Sequence, residues 1–177
     1  FQVEGEGEGK IGICPVPRIA QEDYATVGLD LHLGSWFATF RETEIPELPI
    51  SKKTVEEKVT RSAFVPLGRS LVLHPGQFLL GTTLEWVRLP NDLAAHVVGK
   101  SSWGRRGLVI ATATGVQPGF CGCLTLEIAN VGRAPFEIEA GLPICQLFLE
   151  QVKTPVKQLG RKSTFSCSRK PTVGTVK

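Results

Sequence analysis

The stretch Gly99-Lys100-Ser101-Ser102-Trp103-Gly104-Arg105-Arg106-Gly107 gathers residue types that suit an anion. It lies between two apolar segments, so a strand exit there would offer backbone N–H groups, two hydroxyls and positive charge together. If the turn opens a short helix, its N-terminal dipole favours negative charge, and phosphate oxygens fit that description. The pattern is not a P-loop, because the Lys precedes the Ser pair and the glycine spacing differs. The same residues equally suit a helix cap beside a solvated basic surface. A second informative stretch runs from Gly115 to Asn130. Within it Leu124, Leu126 and Ile128 share one face of a strand, while Thr125 and Glu127 take the other. Glu127 is then either an ordinary solvent-facing glutamate or a cleft carboxylate whose proton affinity suits acid–base work.

The elements that must position these residues read as short strands. Leu29, Leu31 and Leu33 alternate with Asp30, His32 and Gly34, and a second strand is predicted over Trp36 to Arg41. Leu71 to Leu73 precede a His74-Pro75-Gly76 turn, and Gln77 to Val87 follow as a long strand. Further strands are predicted over Leu93 to Val98, Val109 to Ala113, Cys123 to Asn130, Phe136 to Ile138 and Ile144 to Glu150. One helical turn is expected over Ser101 to Arg106, with the consecutive Ser residues capping its start. The polar segment Pro49 to Lys58 reads as a surface loop. Even punctuation and the lack of a long amphipathic helix point to an all-β barrel or jelly-roll-like fold. The 177 residues suit one domain, with a loose Gly/Glu-rich segment over 1–12 and a basic tail over 153–177.

Composition narrows the function classes. A net charge of +3 is too small to argue for nucleic acid. The tail is nevertheless basic, with Lys153, Lys157, Arg161, Lys162, Arg169, Lys170 and Lys177 and no acidic side chain. It reads as a solvated arm or as a lid for a polyanion such as a triphosphate. No apolar run approaches the ~20 residues of a membrane helix, and no secretory leader is visible. With five Cys residues, an odd number, the expectation is a cytoplasmic protein in a reducing compartment.

Taken in order, these motifs resemble the dCTP deaminase family of the dCTP deaminase/dUTPase superfamily. Gly99 to Gly107 is similar to its G-[RK]-S-S-x-x-R-x-G segment, Pro118 to Gly122 to its P-G-[FW]-x-G turn, and Thr125 to Asn130 to its T-L-E-x-x-N strand end. Val27 to Gly34 resembles S-V-D-x-R-L-G, Leu73 to Leu80 resembles L-x-P-G-x-F-x-L, and Ala140 to Leu147 resembles P-G-M-x-I-x-Q-L. The ordered set spans roughly residues 17 to 151 and is specific where any single piece would be weak.

The resemblance implies a dUTPase-like distorted β-barrel of the β-clip type, assembled as a homotrimer with active sites at subunit interfaces. It implies catalytic roles for Glu127, Ser101 and Arg105 in zinc-independent deamination of dCTP to dUTP and ammonia. Lys100, Ser102, Thr114, Gln117, Phe120 and Gln146 become candidate substrate contacts, with Arg169 and Lys170 as candidate triphosphate contacts in the tail. Magnesium is expected to arrive on the nucleotide triphosphate. Zinc-dependent nucleobase deaminases instead use H-x-E and P-C-x-x-C. None of His32, His74 or His96 is followed two residues later by Glu, and Cys121 and Cys123 stand as C-x-C. No catalytic zinc is therefore expected, and the Cys pair reads as small filling at a strand start.

Two positions and the tail depart from the family pattern. Gln117 stands where many relatives carry Asp, which weighs against pyrophosphatase activity because an amide is no general base. Thr114 stands where a small apolar residue is common. The tail lacks both the deaminase Q-x-G element and the Gly-rich dUTPase lid. The alternatives are a dUTP or dCTP pyrophosphatase and a catalytically silent nucleotide-binding regulatory homologue.

Overall fold

The computed structural model describes residues 10–16, 27–41, 59–156, 167–171 and 173. Strands dominate it. In chain order they are β1 (Gly12–Cys14), β2 (Gly28–Phe40), β3 (Thr60–Phe64), β4 (Ser70–Leu73), β5 (Phe78–Arg88), β6 (Leu93–Gly99), β7 (Leu108–Ile110), β8 (Gly115–Val116), β9 (Cys121–Asn130), β10 (Phe136–Glu139) and β11 (Pro143–Gln151), with one helical turn, α1 (Ser101–Gly104), between β6 and β7. A curled nine-stranded sheet runs β7-β9-β5-β2-β11-β6-β8, with β1 paired to β5 and β3 to β2, and β4 and β10 form a separate two-stranded sheet. The expected all-β architecture is thus observed. Among the described residues no helix is long and apolar enough to cross a membrane.

Period-two alternation places the core. Leu31, Leu33 and Phe37 of β2, Leu126 and Ile128 of β9, and Ile144 and Leu147 of β11 are fully buried in one core cluster. The two strands predicted over 29–41 are one 13-residue strand, bent rather than broken. Its pairing with β5 shifts register between Leu33 and Phe37, the kind of irregularity that bends a sheet. Gly34 sits at that bend, where a Cβ would lie 2.9 Å from the Thr83 carbonyl oxygen. β7 is shorter than predicted. After Ile110 the ladder continues only through Ala111, whose N–H donates to the Glu127 carbonyl at 2.8 Å, before Thr112 turns its hydroxyl inward.

Three strands have no strong sequence signal. β1 and β8 are three and two residues long. β3 is Thr-Arg-Ser-Ala-Phe, polar because it lies at an edge, and it is held by β2 through the Trp36–Phe64 pair. The predicted loop 49–58, most of the segment 1–12 and most of the tail lie outside the described residues.

Candidate active site

β6 delivers the phosphate-type segment to the surface. Its last residue is Gly99, Lys100 is extended, and α1 begins at Ser101. The expected serine cap is not formed. The cap position belongs to Lys100, and no side chain caps the helix, because Ser101 is already inside the turn. Trp103 pegs α1 to the body: its ring packs on the core and its Nε1–H donates to the Pro143 carbonyl at 2.9 Å. The Arg106 guanidinium lies over that ring at 5.5 Å. Trp103 is thus a packing residue, not a stacking platform for a base. Ser101, Ser102 and Arg105 are left exposed, and none of their side chains is bonded among the described residues.

β9 carries Glu127 as expected, half-buried and on the face opposite Leu126 and Ile128. Its backbone is fixed from both sides. The Glu127 N–H donates to Thr112 Oγ1 at 3.3 Å, and its carbonyl accepts from Ala111. Its carboxylate has no hydrogen bond or ion pair among the described residues. α1 lies beyond the Asn130 end of β9, since β7 pairs Leu108 with Asn130 and Ile110 with Ile128. From Asn130 to Glu127 the strand advances roughly 10 Å. Within one chain, then, no bond joins Glu127 to Ser101 or Arg105.

The end of β9 is locked by Asn130, 1% exposed, whose amide donates to the carbonyls of Leu73 and Ala134 and whose oxygen accepts from the Gly132 N–H, each at 2.9 Å. Gly107, which ends the α1 turn with φ +95°, presses on this corner; a Cβ there would lie 2.7 Å from the Gly132 Cα.

A second polar group lies on β2 and β11 and just past the end of β6. The Lys100 ammonium donates to Asp30 Oδ2, and Gln146 Nε2–H donates to Asp30 Oδ1 at 2.9 Å. Two predicted substrate contacts, Lys100 and Gln146, are therefore held by one carboxylate. Burial alone would raise the Asp30 pKa, but the hydrogen bonds from Lys100 and Gln146 outweigh it and hold the carboxyl below its ordinary value. Two residues along β2, the His32 backbone N–H donates to Glu85 Oε2 at 2.9 Å and its Nδ1 pairs with Glu85 Oε1 at 2.7 Å. Cys145 lies fully buried on β11 nearby. Burial, reinforced by the Glu85 and Asp30 charges, pushes its thiol pKa up to about 12.

The remaining candidates are spread out. Thr114 is exposed, and its carbonyl accepts from the Val97 N–H at 2.8 Å. Gln117 is exposed at the head of the turn closed by Phe120 N–H donating to its carbonyl at 3.1 Å. Phe120 packs partly buried on the core. In the tail, Arg169 lies over Trp86 at 5.5 Å and Lys170 over Trp36 at 4.0 Å. The Cys167 N–H donates to the Cys121 carbonyl, and the Cys123 N–H donates to the Ser168 carbonyl at 3.0 Å, so this part of the tail docks at the opposite end of β9 from α1. Among the described residues no group of three or more His, Cys, Asp or Glu side chains could hold a metal ion.

A family model described as dCTP deaminase-like matches residues 5–152. A dCTP deaminase from Halorubrum lacusprofundi is 41% identical over 153 residues, covering 85% of this chain and 74% of its own length. A protein from Methanobrevibacter smithii named dCTP deaminase, dUMP-forming, is 39% identical over 152 residues, covering 85% of this chain and 77% of its own. Among solved structures, a dUTPase from the Staphylococcus aureus phage phi11 superposes with a TM-score of 0.54 at 15% identity, over 88% of this chain and 100% of that one. That likeness shows the dUTPase-like fold.

Proposed function

The chain belongs to the dCTP deaminase-like family, and on that premise we propose that it hydrolyses dCTP to dUTP and ammonia at a site centred on Glu127. The observation that carries the placement is a half-buried carboxylate on rigid β9 with no partner among the described residues, matched by an exposed hydroxyl and guanidinium, Ser101 and Arg105, on α1. Glu127 takes a proton from water, which attacks C4 of the cytosine, and it delivers a proton to N3. Ser101 and Arg105 hold the water and stabilise the charge of the tetrahedral intermediate. Glu127 then takes the proton of the new C4 hydroxyl and passes it to the exocyclic amine, which leaves as ammonia as the C4–N bond breaks and the C4 carbonyl forms.

Because no bond links these groups within a chain, the reading places the site between subunits of a homotrimer, with Glu127 from one chain meeting Ser101 and Arg105 of another. Lys100 and Ser102 face the phosphates, with Gln146 beside them. Thr114, Gln117 and Phe120 line the side where base and deoxyribose lie. Magnesium belongs to the substrate, on the phosphate oxygens. Arg169 and Lys170 would reach a triphosphate only by leaving Trp86 and Trp36. A dCTP requirement raised by deleting residues 160–177 supports a lid, and an unchanged one makes the tail an arm.

Gln117 is an amide and supplies no base for attack on the phosphate chain, which favours deamination alone. The name of the Methanobrevibacter smithii relative favours a second reading, in which dUMP and pyrophosphate are formed. Incubation with dCTP, dCMP and dUTP, following ammonia and pyrophosphate together, separates the two. Ammonia without pyrophosphate from dCTP is expected. Both products together support the second reading, and neither product removes the catalytic assignment.

A further inference from the structure

We propose that Thr112 is a positioning residue for Glu127: its hydroxyl holds the Glu127 backbone N–H where β7 parts from β9, and turnover depends on that hold. The reaction it serves is the deamination proposed above.

β7 pairs Leu108 with Asn130, Val109 with Ala129 and Ile110 with Ile128, so the next pair in register is Ala111 with Glu127. Hydrogen-bonded and non-bonded pairs alternate along an antiparallel ladder. The Val131 N–H donates to the Gly107 carbonyl, which makes Gly107–Val131, Val109–Ala129 and Ala111–Glu127 the bonded set. A bonded pair ordinarily exchanges two bonds. Ala111 and Glu127 make one of them, from the Ala111 N–H to the Glu127 carbonyl at 2.8 Å. The return bond is replaced: the Glu127 N–H donates to Thr112 Oγ1 at 3.3 Å. A side-chain hydroxyl thus stands in for the Ala111 carbonyl. Both backbone groups of an antiparallel residue point to the same neighbour. β5, which pairs Leu80 with Glu127 on the other side, is therefore out of reach of this amide.

The place is a seam in the fold. β7 and β8 stand at opposite ends of the sheet order, and the chain crosses between them over Ala111 to Thr114. The far end of the crossing is tied to β6, where the Val97 N–H donates to the Thr114 carbonyl at 2.8 Å. β6 leads on into Lys100 and α1. It also lies close to β7, since a Cβ at Gly99 would stand 3.0 Å from the Ile110 Cβ. Thr112 therefore pins the strand of the carboxylate at the point where regular pairing ends. The carboxylate itself has no partner among the described residues, so its place is set by the backbone beneath it. It has to act as base and then as acid at fixed atoms, and a misplacement of about 1 Å can slow such a step ~10²-fold.

The test compares native, Thr112→Val and Thr112→Ser chains, each assayed well below its melting temperature. Valine keeps the shape and removes the acceptor. Serine keeps the acceptor and removes the methyl. T112V should lose about tenfold in kcat for ammonia release from dCTP, with KM held within about twofold, and T112S should recover most of the loss. Thr112→Ala, which lacks the acceptor without crowding the strand, should repeat the T112V result. Amide hydrogen exchange followed by nuclear magnetic resonance reads the bond directly. In the native chain the Glu127 and Ala111 amides should both be protected. In T112V the Glu127 amide should exchange at least about tenfold faster while the Ala111 amide stays slow, and T112S should restore it. A Glu127 amide that exchanges freely in the native chain, a native kcat in T112V, or a T112S as slow as T112V would each overturn the inference. A native chain that releases no ammonia from dCTP sinks the deaminase reading instead, and the exchange pattern still decides the bond, so the two failures are distinguishable.

Discussion

On β2, the polar side chains that flank Leu31 are closed off inside one chain: Asp30 binds Lys100 and Gln146, and His32 binds Glu85. On α1 and β9, Ser101, Ser102, Arg105 and Glu127 have no side-chain partner among the described residues. Both groups sit on rigid strands or beside them, so stiffness does not separate them. Completeness does. The first group is satisfied before any ligand arrives, and it sets charge and position. The second is unsatisfied until something else, substrate or a second subunit, supplies the missing half. A satisfied polar network stabilises the fold, whereas an unsatisfied one that stays partly exposed contributes little to stability and is available for chemistry.

This contrast breaks most readily at Glu127. Glu127→Gln should lower ammonia release by about 10²–10⁴-fold, the range for loss of a general acid–base, with dCTP binding and the melting temperature retained. A stability loss instead would place Glu127 in the closed group. Co-expressing Glu127→Gln with Arg105→Ala chains sharpens the point. Sites shared between subunits should recover about a quarter of native activity by random assembly, and sites within one chain none.

The next largest effect is on stability. Glu85→Ala leaves the His32 donors facing a dry gap and should cost about 2 kcal/mol in urea unfolding. No loss would show that the pair is not structural. Asp30→Ala should raise the KM for dCTP about tenfold, equivalent to ~1.4 kcal/mol, with kcat nearly kept, because it frees Lys100 and Gln146 without touching the reacting atoms. Asp30 also predicts an acid response. Its folded pKa lies below the ordinary value, so the unfolded chain binds this proton more tightly. The stability it contributes is full above the unfolded value and is lost as pH falls through the folded one. Melting between about pH 5 and pH 3 should therefore drop less in Asp30→Asn than in the native chain. The smallest effect lies in the tail, where Arg169→Ala and Lys170→Ala should each cost ~0.5–1 kcal/mol as cation–π contacts, read by thermal melts.

The sequence makes one of these groups far more legible than the other. Alternation in Leu124 to Ile128 assigns the faces of β9, and Glu127 lies where that parity puts it. The crowding of Lys100, Ser101, Ser102 and Arg105 is visible because those residues are neighbours in the chain. Asp30, by contrast, lies 70 residues from Lys100 and 116 from Gln146, and His32 lies 53 from Glu85. No local pattern announces contacts at that range. Glu85 is hidden for a further reason. The pairing of β5 with β9 shifts between Thr82 and Trp86, and such a shift breaks the parity on which face assignment depends. A glutamate near a strand end reads as exposed, and here it is buried. The serine cap fails for a related reason: whether a residue stands at the cap or inside the turn depends on where β6 stops, which composition does not fix.

At the corner where Gly107 meets Gly132, two backbones touch with no side chain between them. Side chains act as cushions, because they change rotamer and absorb small displacements. Here there is no cushion, and the Val131 N–H ties directly to the Gly107 carbonyl at 2.9 Å. The short helix and the strand bearing the carboxylate therefore share a hard stop. A methyl group added at either glycine, far from any reacting atom, would shift the hydroxyl and guanidinium relative to the glutamate's own frame. In a ring of identical chains that error would be repeated at every junction.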